Sequence, residues 1–443
     1  MSPKLIVWGL IFALFCACAT SRYGTADKLL ESGQYQEALR EYLRIQQTGG
    51  TPDVRTLLGM AIANYHLKRY GKCAALVKQV LLREPRNGCA LYYAGSCLEI
   101  KGKPAWALKT YQRYHELSRL DPYRRFLKAR YTLLLEKELE NKIRVALKSE
   151  DKLAGSRLPD NTIAVLYFLN AVSDPQWTPL SKGLAEMMIT DFSQVKKLNV
   201  VERIQLQKLI DEMQLGQSGL MDPQTVPRLG QLLRARILVN GAFSVEDNQK
   251  ISLTTSLTDV ALQKTSKTAQ FTGALENIFM LEKDLVLRLL EDLGIPLSIE
   301  ERERIMQIPT RNLQAFMAYC NGLEQMDRGD YANAADFFEQ AVQLDPRFSL
   351  AAERHQTAEA ISLIQSGEPL TWAGPVGSYA PVGLLPEGKL LDTRSRLGQM
   401  SLNLDLGYLP SNDSRRDASE LSARGYSPLR HKLSKPPEPP QNP

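Results

Sequence analysis

Histidine and cysteine, the side chains that most often bind metals or act as nucleophiles, are scarce in this chain. Its 443 residues include four histidines and six cysteines. The histidines are scattered, outside any HExxH or cysteine-rich arrangement that binds zinc. A GxSxG elbow, a Walker A loop and a GxGxxG motif after a strand are also absent. We therefore expect no enzymatic activity, no cofactor and no metal site.

A concentrated charge of one sign is missing as well. The formal net charge is +6, from 55 basic and 49 acidic residues, and the basic residues are dispersed. No stripe combines arginine with aromatic residues, as surfaces that bind single-stranded nucleic acid do. Nucleic acid is therefore not an expected partner. The most basic stretch, residues 119–152, is interleaved with glutamates and predicts a solvated connecting helix over residues 123–158, with a membrane-surface role as the alternative.

Apolar residues form a continuous run only near the N-terminus, from Leu5 to Phe15. This run is too short to span a bilayer but has the length of a signal-peptide core. It ends in Phe15-Cys16-Ala17-Cys18, which is typical of a bacterial lipobox, although leucine is more usual than Phe15. Residues 1–18 are therefore predicted to be a lipoprotein signal peptide, with Cys18 as the lipidation site.

Lipidation of Cys18 predicts attachment to a membrane. Several acyl chains hold a protein at a bilayer stably, whereas one chain holds it only marginally. Ala19 stands where an aspartate would favour the inner membrane, so the expected location is the periplasmic face of the outer membrane. The alternative is cleavage after Ala17-Cys18-Ala19, which would release a soluble periplasmic protein.

Residues 23–122 repeat themselves with a period close to 34 residues, the period of tetratricopeptide repeats. A small residue in the second helix of each repeat is followed four positions later by a larger one. Three such repeats predict an α-solenoid, whose concave groove would bind other envelope proteins. The recurring positions are Ala38, Cys73 and Ala107, followed by Tyr42, Val77 and Tyr111.

Cys73 and Cys97 fall on adjacent predicted repeats. The small-residue position of Cys73 favours a buried thiol. Because the periplasm is oxidising, a disulfide between the two residues is the alternative.

A single further unit of the same kind covers residues 311–364. Gly322, Ala334 and Phe338 occupy its repeat positions. About three repeats are needed to bury a continuous core, so a single unit needs support from elsewhere. We expect it to pack on the domain that precedes it, or on the repeats of a partner.

Residues 160–295 follow a different pattern. Apolar runs of strand length at residues 162–168, 198–203 and 237–243 are separated by helical spacing, which predicts the order β-α-β-α-α-β, then a β-hairpin and a helix. Thr178 and Asp222 are predicted to cap the first and third helices, each followed by a proline at the first helical position. Glu202 and Arg203 are interpreted as an ion pair between strand and helix rather than as an acid and a base.

This order and six short motifs resemble the family of CsgG, the curli assembly and transport component of Gram-negative outer membranes. The resemblance covers less than a third of the chain and implies an α/β domain with a mixed sheet. The six motifs are Ile163-Ala164-Val165-Leu166, Leu180-Ser181-Lys182-Gly183-Leu184-Ala185, Val200-Val201-Glu202-Arg203, Ser218-Gly219-Leu220-Met221-Asp222-Pro223, Leu229-Gly230-Gln231-Leu232-Leu233 and Ile237-Leu238-Val239-Asn240-Gly241.

Pore-forming members of that family have long additional hairpins that cross the membrane. Four spanning strands need roughly 40 residues of alternating, lipid-compatible sequence. The segment after Gly241 has room for one hairpin, which carries charges at Lys250, Lys264 and Lys267. The resemblance therefore supports the fold of the soluble part and predicts that the chain forms no pore.

Residues 367–443 show no helical or strand-like spacing of apolar residues. They are rich in Pro, Gly, Ser and charged residues, which predicts a disordered tail. The expected fold class is α+β multidomain, with a tetratricopeptide solenoid, a central CsgG-like α/β domain and a C-terminal helical unit. The leading functional hypothesis is an outer-membrane-anchored periplasmic scaffold for envelope, appendage or polymer assembly or secretion. The alternative is a subunit or accessory of a CsgG-type secretion channel, formed as a homo-oligomer.

Overall fold

The computed structural model describes residues 23–366, with gaps at residues 151–156, 173, 217–219, 221, 223, 247–248 and 267–268. The predicted signal peptide, its Cys18 and the predicted tail over residues 367–443 lie outside the described residues. The described chain divides into two compact units, residues 23–132 with 360–366 and residues 133–359. Both divisions fall inside helices.

The N-terminal unit is helical throughout its regular structure. A polar residue caps two of its helices: Asp53 accepts a hydrogen bond from the backbone N–H of Thr56, and Asn87 accepts one from that of Ala90. The 3-10 helix Arg113–Glu116 precedes the last helix, of which residues 123–132 belong to this unit. The helices are α1 (23–31), α2 (Tyr35–Gly49), α3 (Val54–His66), α4 (Tyr70–Arg83), α5 (Gly88–Ile100), α6 (Pro104–Gln112) and α7 (Tyr123–Lys148).

Two tyrosines of this unit fill the space between neighbouring helices, as the repeat pattern predicts. A Cβ atom added to Gly59 on α3 would lie 2.2 Å from the ring of Tyr42 on α2. A Cβ atom added to Gly95 on α5 would lie 2.2 Å from the ring of Tyr111 on α6. Both distances are far below van der Waals contact, so these helix pairs approach each other only because the residues are glycine.

The first helices of the second and third pairs are enclosed on nearly all sides. In α3 every residue from Thr56 to Asn64 is buried. In α5 the residues from Gly88 to Tyr93 are buried, as are Gly95, Ser96 and Cys97. A surface helix buries only one stripe of its circumference. Helices α3 and α5 are therefore core helices, and α2, α4 and α6 carry the exposed apolar side chains of Leu43, Leu82 and Trp106.

The second unit contains a seven-stranded mixed sheet, as predicted for the central domain. Strand β1 is parallel to both β3 and β4, β2 is parallel to β4, and β5 is antiparallel to β4, β6 and β7. The order across the sheet is β3-β1-β4-β5, with β6 and β7 side by side along the far edge of β5. The strands are β1 (Thr162–Val165), β2 (Leu169–Asn170), β3 (Asn199–Val200), β4 (Ile237–Glu246), β5 (Lys250–Asp259), β6 (Lys264–Thr265) and β7 (Ala269–Ala274).

Among the described residues of this unit, eight α-helices accompany the sheet, in addition to the second half of α7. The C-terminal pair α13 and α14 is closely packed, since a Cβ atom added to Gly322 would lie 2.6 Å from the ring of Phe338. The helices are α8 (Leu180–Phe192), α9 (Arg203–Met213), α10 (Thr225–Leu233), α11 (Ile278–Asp292), α12 (Ile299–Ile305), α13 (Leu313–Asp327), α14 (Tyr331–Leu344) and α15 (Ser349–Ser366), the last up to residue 359.

The C-terminal helix pair packs on the central domain, as expected for a unit that cannot bury a core alone. Helix α13 lies against α8, and a Cβ atom added to Gly183 on α8 would lie 2.2 Å from the sulphur of Cys320 on α13. Cys320 itself is fully buried. The domain that carries the CsgG-like motifs and the C-terminal pair therefore share one core.

One predicted helix cap is wrong. The 3-10 helix Pro175–Trp177, capped by Asp174, leads directly towards α8, so Thr178 already has helical backbone angles and α8 has no side-chain cap. The regular part of α10 begins at Thr225, but Asp222 does cap its start: the Asp222 carboxylate accepts from the N–H of Gln224, and the Asp222 carbonyl accepts from the N–H of Val226. Among residues 23–366, leaving out the gaps given above, no helix has the length and apolar character needed to cross a membrane.

Candidate functional site

The residues with chemical potential in the sequence do not come together. His66 stacks on Tyr35, His115 lies beside Tyr114, and His355 Nδ1 is 3.0 Å from the carbonyl oxygen of Ala335. His431 and Cys18 lie outside the described residues. Among the described parts of the chain, no group of three or more His, Cys, Asp or Glu side chains is arranged to hold a metal ion.

The four described cysteines, Cys73, Cys89, Cys97 and Cys320, are buried free thiols. The thiols of Cys73 and Cys97 are hydrogen-bonded neighbours, and this contact with burial raises the pKa of Cys73. Burial raises the pKa of Cys89 to about 12 and also raises that of Cys320. A thiol with a raised pKa is a poor nucleophile at neutral pH. The alternative of a Cys73–Cys97 disulfide is not what the structure contains.

The most distinctive polar arrangement is a network of six charged side chains, three buried and three half-buried, at the junction of α8, α9, α13 and α15. Arg203, the first residue of α9, is at its centre. Its Nη1 is 2.6 Å from Asp327 Oδ2 on α13, and its Nε is 3.4 Å from Glu186 Oε2 on α8. We call this set the junction network; its members are Lys182, Glu186, Arg203, Glu324, Asp327 and Arg354.

Three remaining ion pairs complete the junction network. Lys182 Nζ is 2.7 Å from Glu324 Oε2 and 2.9 Å from Asp327 Oδ2, and Arg354 Nη2 is 3.0 Å from Glu186 Oε1. Lys182 and Glu186 lie four residues apart on α8 and therefore point to the same side of that helix. These six side chains comprise three cations and three carboxylates, and the exposed Arg328 also pairs with Glu324, at 2.9 Å.

In the junction network, neighbouring opposite charges favour the charged forms of Asp327 and Arg203. Burial alone would raise the pKa of Asp327, but the charges of Arg203 and Lys182 outweigh burial and hold that pKa below its ordinary value. Burial likewise opposes the charge of Arg203, yet Asp327 holds the Arg203 pKa well above its usual value. Groups locked in their charged forms cannot exchange protons near neutral pH. The network is suited to fixing helices in register, not to acid–base catalysis.

The interpretation of Glu202 and Arg203 as an ion pair between strand and helix stays a prediction. Arg203 begins α9 and pairs with Glu186 on α8 and with Asp327 on α13. Arg203 Nη1 also donates to the hydroxyl of Tyr167, which donates to Gln207 Oε1 at 2.8 Å. The sequence does not predict the ion pair of Arg203 with Asp327, because the two residues are 124 positions apart in the chain.

A second buried cluster lies at the other end of α8. Lys283 Nζ on α11 is 2.5 Å from Asp191 Oδ2 and 3.2 Å from Glu282 Oε2, and all three side chains are at most 2% exposed. We call these residues the core triad. Burial and then the neighbouring Glu282 raise the pKa of Asp191 well above its ordinary value. Burial also raises the pKa of Glu282. Because the triad has two carboxylates and only one cation, it is more stable when one of the carboxylates is protonated.

The sequence did contain a signal for the core triad. Lys283 is four residues after Phe279 and three residues before Val286, which places it on the buried stripe of α11. A lysine on an apolar stripe requires a buried carboxylate partner. What the sequence does not supply is the identity of that partner, Asp191, which lies on a different helix.

The second half of α7 is also tied into this unit. Glu136 Oε2 accepts a hydrogen bond from the hydroxyl of Tyr331 at 3.1 Å and lies 3.7 Å from Lys208 Nζ. Glu136 therefore connects α7 to α9 and to α14. A domain that begins at residue 160, as predicted from the sequence, leaves this helix out.

The comparison with protein families agrees with that observation. Residues 131–252 match the family model of the curli production assembly/transport component CsgG. The match covers less than a third of the chain, and it begins within α7 rather than at β1. It supports the CsgG-like interpretation of the central region. A search of curated proteins found no match to this chain.

Proposed function

We propose that the protein is a lipid-anchored scaffold on the periplasmic face of the outer membrane, where it binds protein partners in envelope, appendage or polymer assembly or secretion. The observation that carries the proposal is the CsgG-family match at residues 131–252, in a unit to which further helices are locked by the junction network. A family of assembly and transport components supports a role in moving or assembling other macromolecules. The added helices supply surfaces for partners.

The N-terminal helix pairs support the part of the proposal that concerns partners. Their period near 34 residues is that of tetratricopeptide repeats, and the Gly–Tyr contacts between neighbouring helices are compatible with such packing. Repeat arrays of this kind bind partners through an extended surface. Because α3 and α5 are enclosed, the partner surface is proposed on α2, α4 and α6. Leu43, Leu82 and Trp106 are 40%, 66% and 45% exposed there. Tryptophan is enriched among the residues that contribute most to binding in protein interfaces, which favours Trp106 as an anchor.

Cys18 supplies the proposed anchor. Replacing Cys18 with Ser removes the thiol that would be acylated, so the variant is expected to leave the membrane fraction. Intact-mass analysis of the wild type should show the mass of the acyl chains. A Cys18→Ser variant that still sediments with the outer membrane, together with a wild type of unmodified mass, would contradict the anchor.

The partner surface is tested with charge substitutions in the membrane-bound protein. Leu82→Glu and Trp106→Glu should reduce the set of proteins that cross-link to the chain in intact cells. Thr25→Glu, which adds the same charge at an exposed position of α1, outside the proposed surface, is the matched control and should leave the cross-links unchanged. Equal cross-linking by all three variants would place the partner surface elsewhere.

The alternative function, a subunit or accessory of a CsgG-type secretion channel, is favoured by the transport role in the family's description. Planar-bilayer recordings of the purified chain distinguish the two. The scaffold proposal expects no reproducible single-channel conductance. Conductance that disappears when the β4–β5 and β7 segment, residues 241–273, is deleted would favour the channel.

A further inference from the structure

The two edges of the mixed sheet are protected to different degrees. At one edge, β3 is only two residues long, follows Lys196 and Lys197, and has the N–H of Lys196 bonded to Glu301 Oε1 on α12 at 2.8 Å. At the other edge, β7 extends over six residues, Ala269–Ala274, with no charged residue and no proline. Natural sheets usually protect such an edge with lysine, proline, a very short strand or a covering element.

The outward-facing backbone groups of β7 can be identified from the register. The N–H of Leu275 donates to the carbonyl of Gln249 at 2.7 Å, and Ala274 is opposite Lys250. Hydrogen-bonded pairs alternate along an antiparallel ladder, so Ala269, Phe271 and Gly273 bond to β5. Gln270 and Thr272 therefore point their N–H and C=O groups away from the sheet, and Ala274 points its N–H the same way. The C=O of Ala274 instead begins the 3-10 helix Leu275–Asn277. The described residues supply no backbone partner for the other five outward groups.

We propose that β7 is a self-association edge, which pairs antiparallel with β7 of a second copy of this chain and joins the two sheets across a two-fold axis. The inference does not depend on the proposed scaffold function. Placing Thr272 opposite Thr272 of the second copy brings Gln270 opposite Ala274. Four hydrogen bonds then join the two strands: two between the Thr272 residues, and one from each Ala274 N–H to the Gln270 carbonyl of the other copy.

The side chains of β7 suit pairing with an identical strand. Because the strand is uncharged, the two-fold register places no like charges opposite each other. On the exposed face, Ser244, Ser252 and Thr272 form a row across β4, β5 and β7, with 3.2 Å between the hydroxyls of Ser252 and Thr272. Pairing extends this row of hydroxyls into the second copy. Pairs of Ser and Thr across strands contribute to sheet stability.

Cysteine cross-linking tests the register directly in the full-length chain. A hydrogen-bonded antiparallel pair has its Cα atoms about 5.5 Å apart, which is within the range for a disulfide. Thr272→Cys should therefore form a covalent dimer on oxidation with copper phenanthroline. Gln270→Cys alone should not, because its copies would lie about 14 Å apart along the strands. A mixture of Gln270→Cys and Ala274→Cys chains should again cross-link. The parent chain controls for its native cysteines.

Mass measurement by sedimentation provides the second test. The parent chain should sediment as a dimer, and Thr272→Lys should sediment as a monomer, because two lysines would meet at the axis. Thr25→Lys, the same change at an exposed position of α1, should remain dimeric, and circular dichroism confirms that each variant is folded. A monomeric parent chain, or an oligomer in which Thr272→Cys does not cross-link, would overturn the proposal.

Discussion

Helix α8 carries two buried charge clusters with opposite balances. Its N-terminal half contributes Lys182 and Glu186 to the junction network, where three cations meet three carboxylates. Its last turn contributes Asp191 to the core triad, where two carboxylates share Lys283. The first cluster is stable with all groups charged. The second gains by keeping a proton. Burial acts to raise the pKa of both Asp327 and Asp191, but only in the junction network do the neighbouring cations outweigh burial.

The junction network should give the largest effect when one partner is removed. Asp327→Ala leaves Arg203 buried without its closest carboxylate, which typically costs about 3–5 kcal/mol. Urea unfolding of the second unit, followed by hydrogen exchange of α9 and α13, measures this loss. Arg288→Ala is the matched control. Arg288 is 56% exposed and pairs with Asp292 on α11, a helix that contributes no residue to the junction network, so its removal should cost about 0–1 kcal/mol. Equal losses would mean that the junction network does not hold the helices together.

The two clusters should respond to pH with opposite signs. The folded pKa of Asp191 is raised, so its contribution is complete below the unfolded value of about 4 and is lost as pH rises towards the folded pKa. The folded pKa of Asp327 is lowered, so its contribution is complete above about 4 and is lost as pH falls through the folded pKa.

Asp191→Asn separates the two responses. The amide keeps the shape of a protonated carboxyl and has no proton to lose. Stability of the wild type should therefore decline relative to the variant by up to about 1.4 kcal/mol per pH unit above pH 4, until the folded pKa is reached. Unfolding curves for both proteins between pH 4 and pH 9 measure this difference. Parallel curves would show that Asp191 does not retain a proton in the folded protein.

The comparison also shows what a sequence can predict. The order of elements in the central domain follows from apolar periodicity, which reports the buried side of each strand or helix. The same periodicity places Lys283 on a buried stripe. It cannot pair Arg203 with Asp327, because that contact joins helices 124 residues apart and depends on how α13 packs on α8. Periodicity identifies buried positions, whereas buried charge pairs are decided by tertiary packing.

The substitution with the smallest expected effect, Gly183→Ala, tests whether the contact between α8 and α13 depends on shape as well as on charge. A Cβ atom at Gly183 would lie 2.2 Å from the Cys320 sulphur and 3.0 Å from the Phe316 ring. Gly183→Ala should therefore overpack the contact and cost about 1–3 kcal/mol. Gly216→Ala is the control, because a Cβ atom there meets nothing within 4 Å. Cys320→Ala removes the sulphur, so adding it to Gly183→Ala should recover part of the lost stability. A double-mutant cycle of urea unfolding measures this coupling. Strictly additive losses would show that α13 is held to α8 by the junction network alone.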